Sequence, residues 1–149
     1  MFGRVSASFD ALPFSDALFD LVVFDASLHL AEDLGNALAE AARATAAGGR
    51  VAILDSPFYA RRKSGEAMAE EKRRDTARTF RDLTGDLLAL TPVEYLTRES
   101  LENAAAPAGL SFERSRVQYP LAYETRGVKA RILGRRPPSR FDLWVARRA

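Results

Sequence analysis

The chain has 149 residues, of which 47% are hydrophobic and 9% aromatic, which suits one domain with one core. It contains no cysteine and one histidine, which excludes disulfides, thiolate nucleophiles and Cys-ligated zinc and disfavours any metal site. Apolar runs such as Leu21–Phe24 are far shorter than the roughly 20 residues that cross a bilayer. The first residues contain no apolar secretory signal. We therefore predict a cytoplasmic protein with no metal ion and no membrane partner.

Charge is distributed unevenly along the chain. Residues 1–60 contain three basic and eight acidic side chains, whereas residues 126–149 contain eight basic and one acidic. A basic tail of this kind attracts phosphate groups. No RNA-binding or helix-turn-helix motif accompanies it, so a solvated surface is favoured over a nucleic-acid partner.

The first predicted elements form a β-α-β unit. Phe19–Asp25 is a continuous apolar run with β-branched and aromatic residues, which predicts a strand buried on both faces. An apolar stripe then predicts a helix that Gly48 and Gly49 are expected to end. The run Arg50–Asp55 predicts the second strand. The stripe consists of Leu34, Ala37, Leu38, Ala41 and Ala42.

A charged helix is predicted next, from Ser64 to about Gly85. Glu70 and Glu71 stand four and three residues before Arg74, as on an exposed helix face. We expect three apolar residues on the opposite face to point inward. They are Met68, Ala77 and Phe80.

The last third of the chain predicts a helix followed by two strands. Thr97 is a good N-cap for a helix through about Ala106, and Gly109 is expected to end it. Leu110–Tyr119 and Arg140–Ala146 read as strands, with Trp144 in the core. The stretch between them, Pro120–Ser139, predicts a long irregular connection.

Three segments keep the order and spacing of a known family. They are Phe9 to Phe24, which includes Leu-Pro-Phe, then Ser27-Leu-His-Leu, then Gly48 to Tyr59. Together they resemble the middle of a class I S-adenosylmethionine-dependent methyltransferase. The resemblance implies an α/β fold with a partial Rossmann-like sheet, mainly parallel, with an antiparallel C-terminal strand pair and helices on its faces. It also implies one methyltransferase-like domain over residues 1–149, incomplete at its N-terminus.

The resemblance implies S-adenosylmethionine as cofactor, but the family's Gly-x-Gly-x-Gly loop is absent from the sequence. Ser8 stands where the family has an acidic residue beside the adenine. Asp10 either replaces that carboxylate or opens the turn with a local hydrogen bond. The cofactor-binding candidates are Ser8, Asp10, Ala11, Leu12, Asp25 and Ser27.

The substrate candidates follow the two parallel strands, whose carboxyl ends form the ligand edge of open α/β sheets. His29 is expected to orient the substrate or to accept a proton, or instead to cap or pack beneath the next helix. Asp55, Phe58 and Tyr59 are the predicted contacts to a small-molecule substrate. His29 and Tyr59 are the catalytic candidates. Further aromatic lining for a pocket is available from Tyr95, Tyr119 and Tyr123.

Two functions of different classes remain open from the sequence. The first is a methyltransferase, or a fragment of one, acting on an unknown small molecule. The second is a non-catalytic methyltransferase-like remnant that serves as an interaction module or homodimer. Such a remnant would expose a sheet edge, and a second copy would cover it.

Overall fold

The computed structural model describes residues 3–79 and 92–149. Its sheet has four strands in the order β1-β2-β4-β3. The strand β1 runs parallel to β2, and β4 runs antiparallel to both of its neighbours. This arrangement confirms a mixed α/β sheet with an antiparallel C-terminal pair. The strands are β1 Phe19–Asp25, β2 Thr45–Leu54, β3 Phe112–Ser115 and β4 Leu143–Arg147.

Five helices accompany the sheet in the described residues: α1 Leu34–Ala44, α2 Arg62–Thr79, α3 Arg98–Ala105, α4 Leu121–Glu124 and α5 Arg126–Ile132. Short 3₁₀ turns occupy Leu28–Leu30 and Ala106–Ala108. Within the described part of the chain, no helix is long and apolar enough to cross a membrane.

Helix α1 forms as its apolar stripe predicts. Asp33 caps its N-terminus by accepting a hydrogen bond from the Asn36 amide at 2.7 Å. The stripe packs into the core, where Leu38 is fully buried together with Val51 and Ile53 of β2. The core also contains Trp144 of β4, as predicted, and β4 pairs antiparallel with β2.

Helix α3 and its capping are also confirmed. Thr97 and Ser100 form a reciprocal capping box, and Gly109 ends the following 3₁₀ turn with a left-handed φ of 67°. In α2 the predicted Arg74–Glu70 ion pair is present at 2.9 Å. Ala77, expected to point inward, is exposed, so that prediction is wrong; Phe80 lies outside the described residues.

Three further expectations are corrected by the structure. The pair Gly48-Gly49 does not end α1, because the helix already ends before Thr45, whose extended backbone starts β2. Gly48 has a φ of 76° inside β2, where the pairing with β1 shifts register. Pro120–Ser139 is not wholly irregular, since it contains α4 and α5.

The third correction concerns β1, which was expected to be buried on both faces. Leu21 is 54% exposed and Val23 is 43% exposed. Within the described residues, β1 pairs only with β2, so its other edge is open. Leu21 and Val23 are two residues apart and lie on the same face, so one face of β1 is exposed. A continuous apolar run does not reveal whether one face or both faces are covered.

Candidate active site

The carboxyl ends of β1 and β2 lie side by side. Asp25 is in register with Leu54, and the Ala26 amide donates to the Leu54 carbonyl at 3.0 Å. Ala26 and Asp55 have positive φ values of 47° and 46°, an uncommon conformation for residues with a side chain. Such backbone strain concentrates at functional sites. The predicted residues after the two strands are therefore brought to one edge.

His29 faces the end of β2 from the 3₁₀ turn after β1. Its Nδ1 lies 3.4 Å from the Ser56 hydroxyl, and Ser56 is only 1% exposed. Burial lowers the pKa of His29 below 6.5, and the positive charge of Lys72 lowers it further. The imidazole is thus mainly neutral at pH 7 and able to accept a proton. Sequence reasoning missed Ser56, although its position directly after Asp55 at the end of β2 was a usable signal.

Asp55 is exposed at this edge, whereas Phe58 and Tyr59 are 6% and 5% exposed. Phe58 stacks on Trp144 with 4.7 Å between ring centroids. Its backbone exchanges two hydrogen bonds of 2.9 Å with Arg140, which anchors the start of this segment to the region before β4. Phe58 thus packs into the core close to the edge.

The Tyr59 hydroxyl is hydrogen-bonded to an arginine side chain. It accepts a hydrogen bond of 3.0 Å from Arg136, whose Nε donates to Glu71 of α2 at 2.7 Å. The Tyr59 ring meets Tyr95 edge-on at 5.9 Å. Arg136 therefore links α2 to the segment after α5 across Tyr59. Glu71 pairs here, rather than with Arg74 as its spacing predicted.

Aromatic and charged residues continue around the edge toward β4. Tyr119 stacks on Tyr123 at 4.1 Å, and the Arg126 guanidinium lies 3.5 Å from the centre of the Tyr123 ring. Burial raises the pKa of Tyr119, and the nearby Tyr123 and Asp55 raise it further. The Tyr119 hydroxyl donates to the carbonyl of Phe141, three residues before Trp144, which pairs with Ile53 near the end of β2. Tyr119 therefore borders the same edge.

The candidate cofactor residues 8–12 form a turn beside an apolar cavity of about 450 Å³. Ser8 and Leu12 line this cavity; Asp10 and Ala11 lie in the turn between them, where the Ser8 hydroxyl donates to the Asp10 carboxylate. The Phe9 ring stands 6.3 Å from Phe24, the penultimate residue of β1, whereas Phe19 is the first residue of that strand, so the cavity extends along β1. The remaining lining residues are Gly3, Val5, Ala7, Phe9, Phe14 and Phe19.

Comparison with known proteins agrees with this arrangement. A family model described as a methyltransferase domain matches residues 3–53. An S-adenosylmethionine-dependent methyltransferase from Thermotoga maritima superposes with a TM-score of 0.59 at 17% identity, covering 97% of this chain and 63% of its own. A second one, from Mesorhizobium loti, gives 0.55 at 18% identity, covering 95% and 67% respectively. No curated protein matches the sequence significantly.

The chain is similar to the class I S-adenosylmethionine-dependent methyltransferases. The predicted resemblance is thereby confirmed in sequence over the first third of the chain and in fold over the rest. The chain spans less than two thirds of the Thermotoga methyltransferase, at 63% of its length. In open α/β sheets ligands bind at the carboxyl ends of the strands, and the ends of β1 and β2 are followed here by His29 and Asp55.

The methyltransferase-like turn at residues 8–12 offers a mixed set of groups for a cofactor. Its cavity supplies apolar walls that fit a flat heterocycle, and the Ser8 hydroxyl and the second Asp10 oxygen supply polar atoms. The Leu12 amide is already engaged, since it donates to Glu40 at 2.9 Å. The residues present fit the adenosine end of the cofactor. Within the described ranges, no group of three metal-ligating side chains lies together.

Proposed function

We propose that the chain is an S-adenosylmethionine-dependent methyltransferase, or a fragment of one, that acts on a small molecule. The observation that carries this proposal is the apolar cavity beside Ser8 and Leu12, whose Phe9 ring lies near Phe24, one residue before the carboxyl end of β1. The cytoplasmic location belongs to the same proposal and depends on the sequence argument alone.

In this proposal the adenosine end of the cofactor is bound by Ser8, Asp10, Ala11 and Leu12. The part of the cofactor that reaches the strand edge is bound by Asp25 and Ser27. When bound, S-adenosylmethionine supplies a methyl group on a positively charged sulfur, which needs little further activation. The protein's contribution is therefore to align the acceptor and exclude water. The site for the methyl acceptor is lined by Asp55, Phe58 and Tyr59.

His29 is the proposed proton acceptor. Its imidazole is largely uncharged at neutral pH because burial lowers its pKa, and Ser56 fixes the ring from the end of β2. A neutral imidazole at this position takes the proton that an N–H or O–H acceptor loses on methylation. Tyr59 holds the wall of the site through its bond to Arg136.

The test is calorimetric titration of the full chain with S-adenosylhomocysteine. We expect binding in the micromolar range to the wild type. Substituting Ala7→Phe, which fills the cavity, should abolish that binding, whereas Ala39→Phe on the exposed face of α1 should not. No binding to a folded, monomeric wild-type chain would overturn the proposal.

A second function, a non-catalytic homodimer, is favoured by the open edge of β1. Leu21 and Val23 are exposed beside backbone groups that pair with no other described strand. Such edges bind another strand. Sedimentation equilibrium would show a concentration-dependent dimer that Val23→Lys dissociates and that Val128→Lys, on exposed α5, leaves intact. A monomer at every concentration would exclude this function.

A further inference from the structure

Two charged residues of α1 hold the backbone of the candidate cofactor segment. Glu40 and Arg43 lie one turn apart on α1 and form a bidentate pair, with both guanidinium-to-carboxylate distances at 2.8 Å. Glu40 also accepts the Leu12 amide at 2.9 Å. The pair therefore reaches a segment 28 residues earlier in the chain.

Arg43 uses every donor of its guanidinium group. Besides its two bonds to Glu40, it donates to the Leu12 carbonyl at 3.1 Å, the Phe14 carbonyl at 2.8 Å and the Asp16 carboxylate at 2.6 Å. A guanidinium carries five N–H groups, and five acceptors surround this one. The backbone at the end of α1 adds two hydrogen bonds. The Arg43 carbonyl accepts from the Ala17 amide at 2.8 Å, and the Ala44 carbonyl accepts from the Leu18 amide at 2.9 Å.

The residues held in this way are walls of the apolar cavity. Leu12 and Phe14 both line it, and the polar groups of their backbones point to Glu40 and Arg43. The ion pair is only partly exposed, at 30% for the Arg43 side chain and 20% for Glu40. The hydrogen bonds from Arg43 and from the Leu12 amide together lower the pKa of Glu40 to about 2, so the carboxylate stays ionised.

We propose that Glu40 and Arg43 are positioning residues for the adenosine end of the cofactor. They do not touch the ligand; they fix the Leu12–Asp16 segment so that the cavity is formed before binding. A ligand then avoids the conformational entropy cost of ordering this segment. This role rests on the proposed methyltransferase function, and it adds residues that the family resemblance did not assign.

The substitution that tests the role is Arg43→Lys. Lysine keeps the charge but has three donors on one atom, so it cannot span Glu40, Asp16 and two carbonyl groups together. Arg50→Lys, at an exposed position of β2, is the matched control. Glu40→Gln is the second variant, which removes the carboxylate while keeping one acceptor for the Leu12 amide.

Binding of S-adenosylhomocysteine and of 5′-methylthioadenosine is measured by calorimetry for each variant. Both ligands carry adenosine, but only the first carries the amino-acid end. We expect Arg43→Lys to weaken both by the same factor, about tenfold, which corresponds to about 1.4 kcal/mol. Glu40→Gln should weaken both equally but less. Arg50→Lys should change neither ligand by more than about twofold, which is within about 0.4 kcal/mol.

An equal factor for the two ligands shows that the adenosine end is affected. Partial unfolding would also weaken both ligands equally, because it lowers the fraction of binding-competent protein. Urea unfolding of each variant in the same buffer therefore measures the folded fraction alongside the titrations. Exchange of the Leu12 amide with solvent gives a ligand-free readout: it should be slow in the wild type and faster in Arg43→Lys. No binding of either ligand to the wild type would overturn the proposed function, and this role with it. Equal binding to wild type and Arg43→Lys would overturn the positioning role alone.

Discussion

Replacing Gly65 of α2 by alanine should destabilise the protein, although alanine favours helices. In an unobstructed helix interior this change gains about 1 kcal/mol. Here an added Cβ would lie 2.2 Å from two ring carbons of Tyr95 and 2.6 Å from a third. Contacts this short force the ring to move, and overpacking of this kind costs about 1–3 kcal/mol. The ring also packs edge-on against Tyr59, which restricts that movement. Set against the gain of about 1 kcal/mol, this cost leaves a net loss of up to about 2 kcal/mol.

The measurement is urea unfolding of the wild type, Gly65→Ala, Tyr95→Ala and the double variant. With the ring removed, Gly65→Ala should become stabilising by up to about 1 kcal/mol, so the sign reverses between the two backgrounds. Gly127→Ala in α5 is the control, because nothing lies within 4 Å of its Cβ position and φ is not positive. An increase in stability from Gly65→Ala in the wild-type background would refute this packing argument.

Three more predictions follow from buried and charged groups. Because the chain has a single histidine, the pKa of His29 can be measured directly by NMR titration, and it should lie below 6.5. Lys72→Gln should raise that pKa, and an unchanged pKa would contradict the effect of the Lys72 charge. Glu40 has a pKa of about 2 in the folded protein and 4.5 in the unfolded chain. Ionised Glu40 therefore stabilises the folded state fully above pH 4.5, and this contribution is lost as the pH falls toward 2. The urea midpoint of the wild type should therefore fall as the pH is lowered from 4.5 toward 2, and that of Glu40→Gln should fall less steeply. Equal pH dependence of the two proteins would contradict a stabilising Glu40–Arg43 pair. Leu38→Ala, at a fully buried site, should cost about 2–5 kcal/mol by thermal unfolding, and less than 1 kcal/mol would show that the site collapses.

Elements with a strong local pattern were predictable from the sequence. The stripe of α1 and the apolar runs of β1 and β2 depend on residues one to four positions apart, and Thr97 caps α3 through Ser100 three residues on. The two strands then placed Asp25 and Asp55 at one edge, because parallel strands end together. The end of α1 was misjudged, since two glycines in a strand bulge read like a helix stop.

Side-chain partners in the candidate site were not predictable in the same way. The spacing of Glu40 and Arg43 indicates a helical ion pair, but nothing local indicates that the pair binds Leu12. Tyr59 was a candidate for substrate contact, and only the folded chain brings Arg136, 77 residues later, onto its hydroxyl.

The sequence by itself determined the β-α-β unit, the capped helix α3 and the edge that collects His29 and Asp55. It also carried the resemblance to the methyltransferase family, because the matching segments lie within residues 9–59. Only the tertiary structure decided that Ser56 faces His29, that α1 holds the cavity wall at Leu12 and that one edge of β1 is unpaired among the described strands. The physical reason is that hydrophobic periodicity specifies which face of an element is buried, whereas packing between distant elements selects the polar partners.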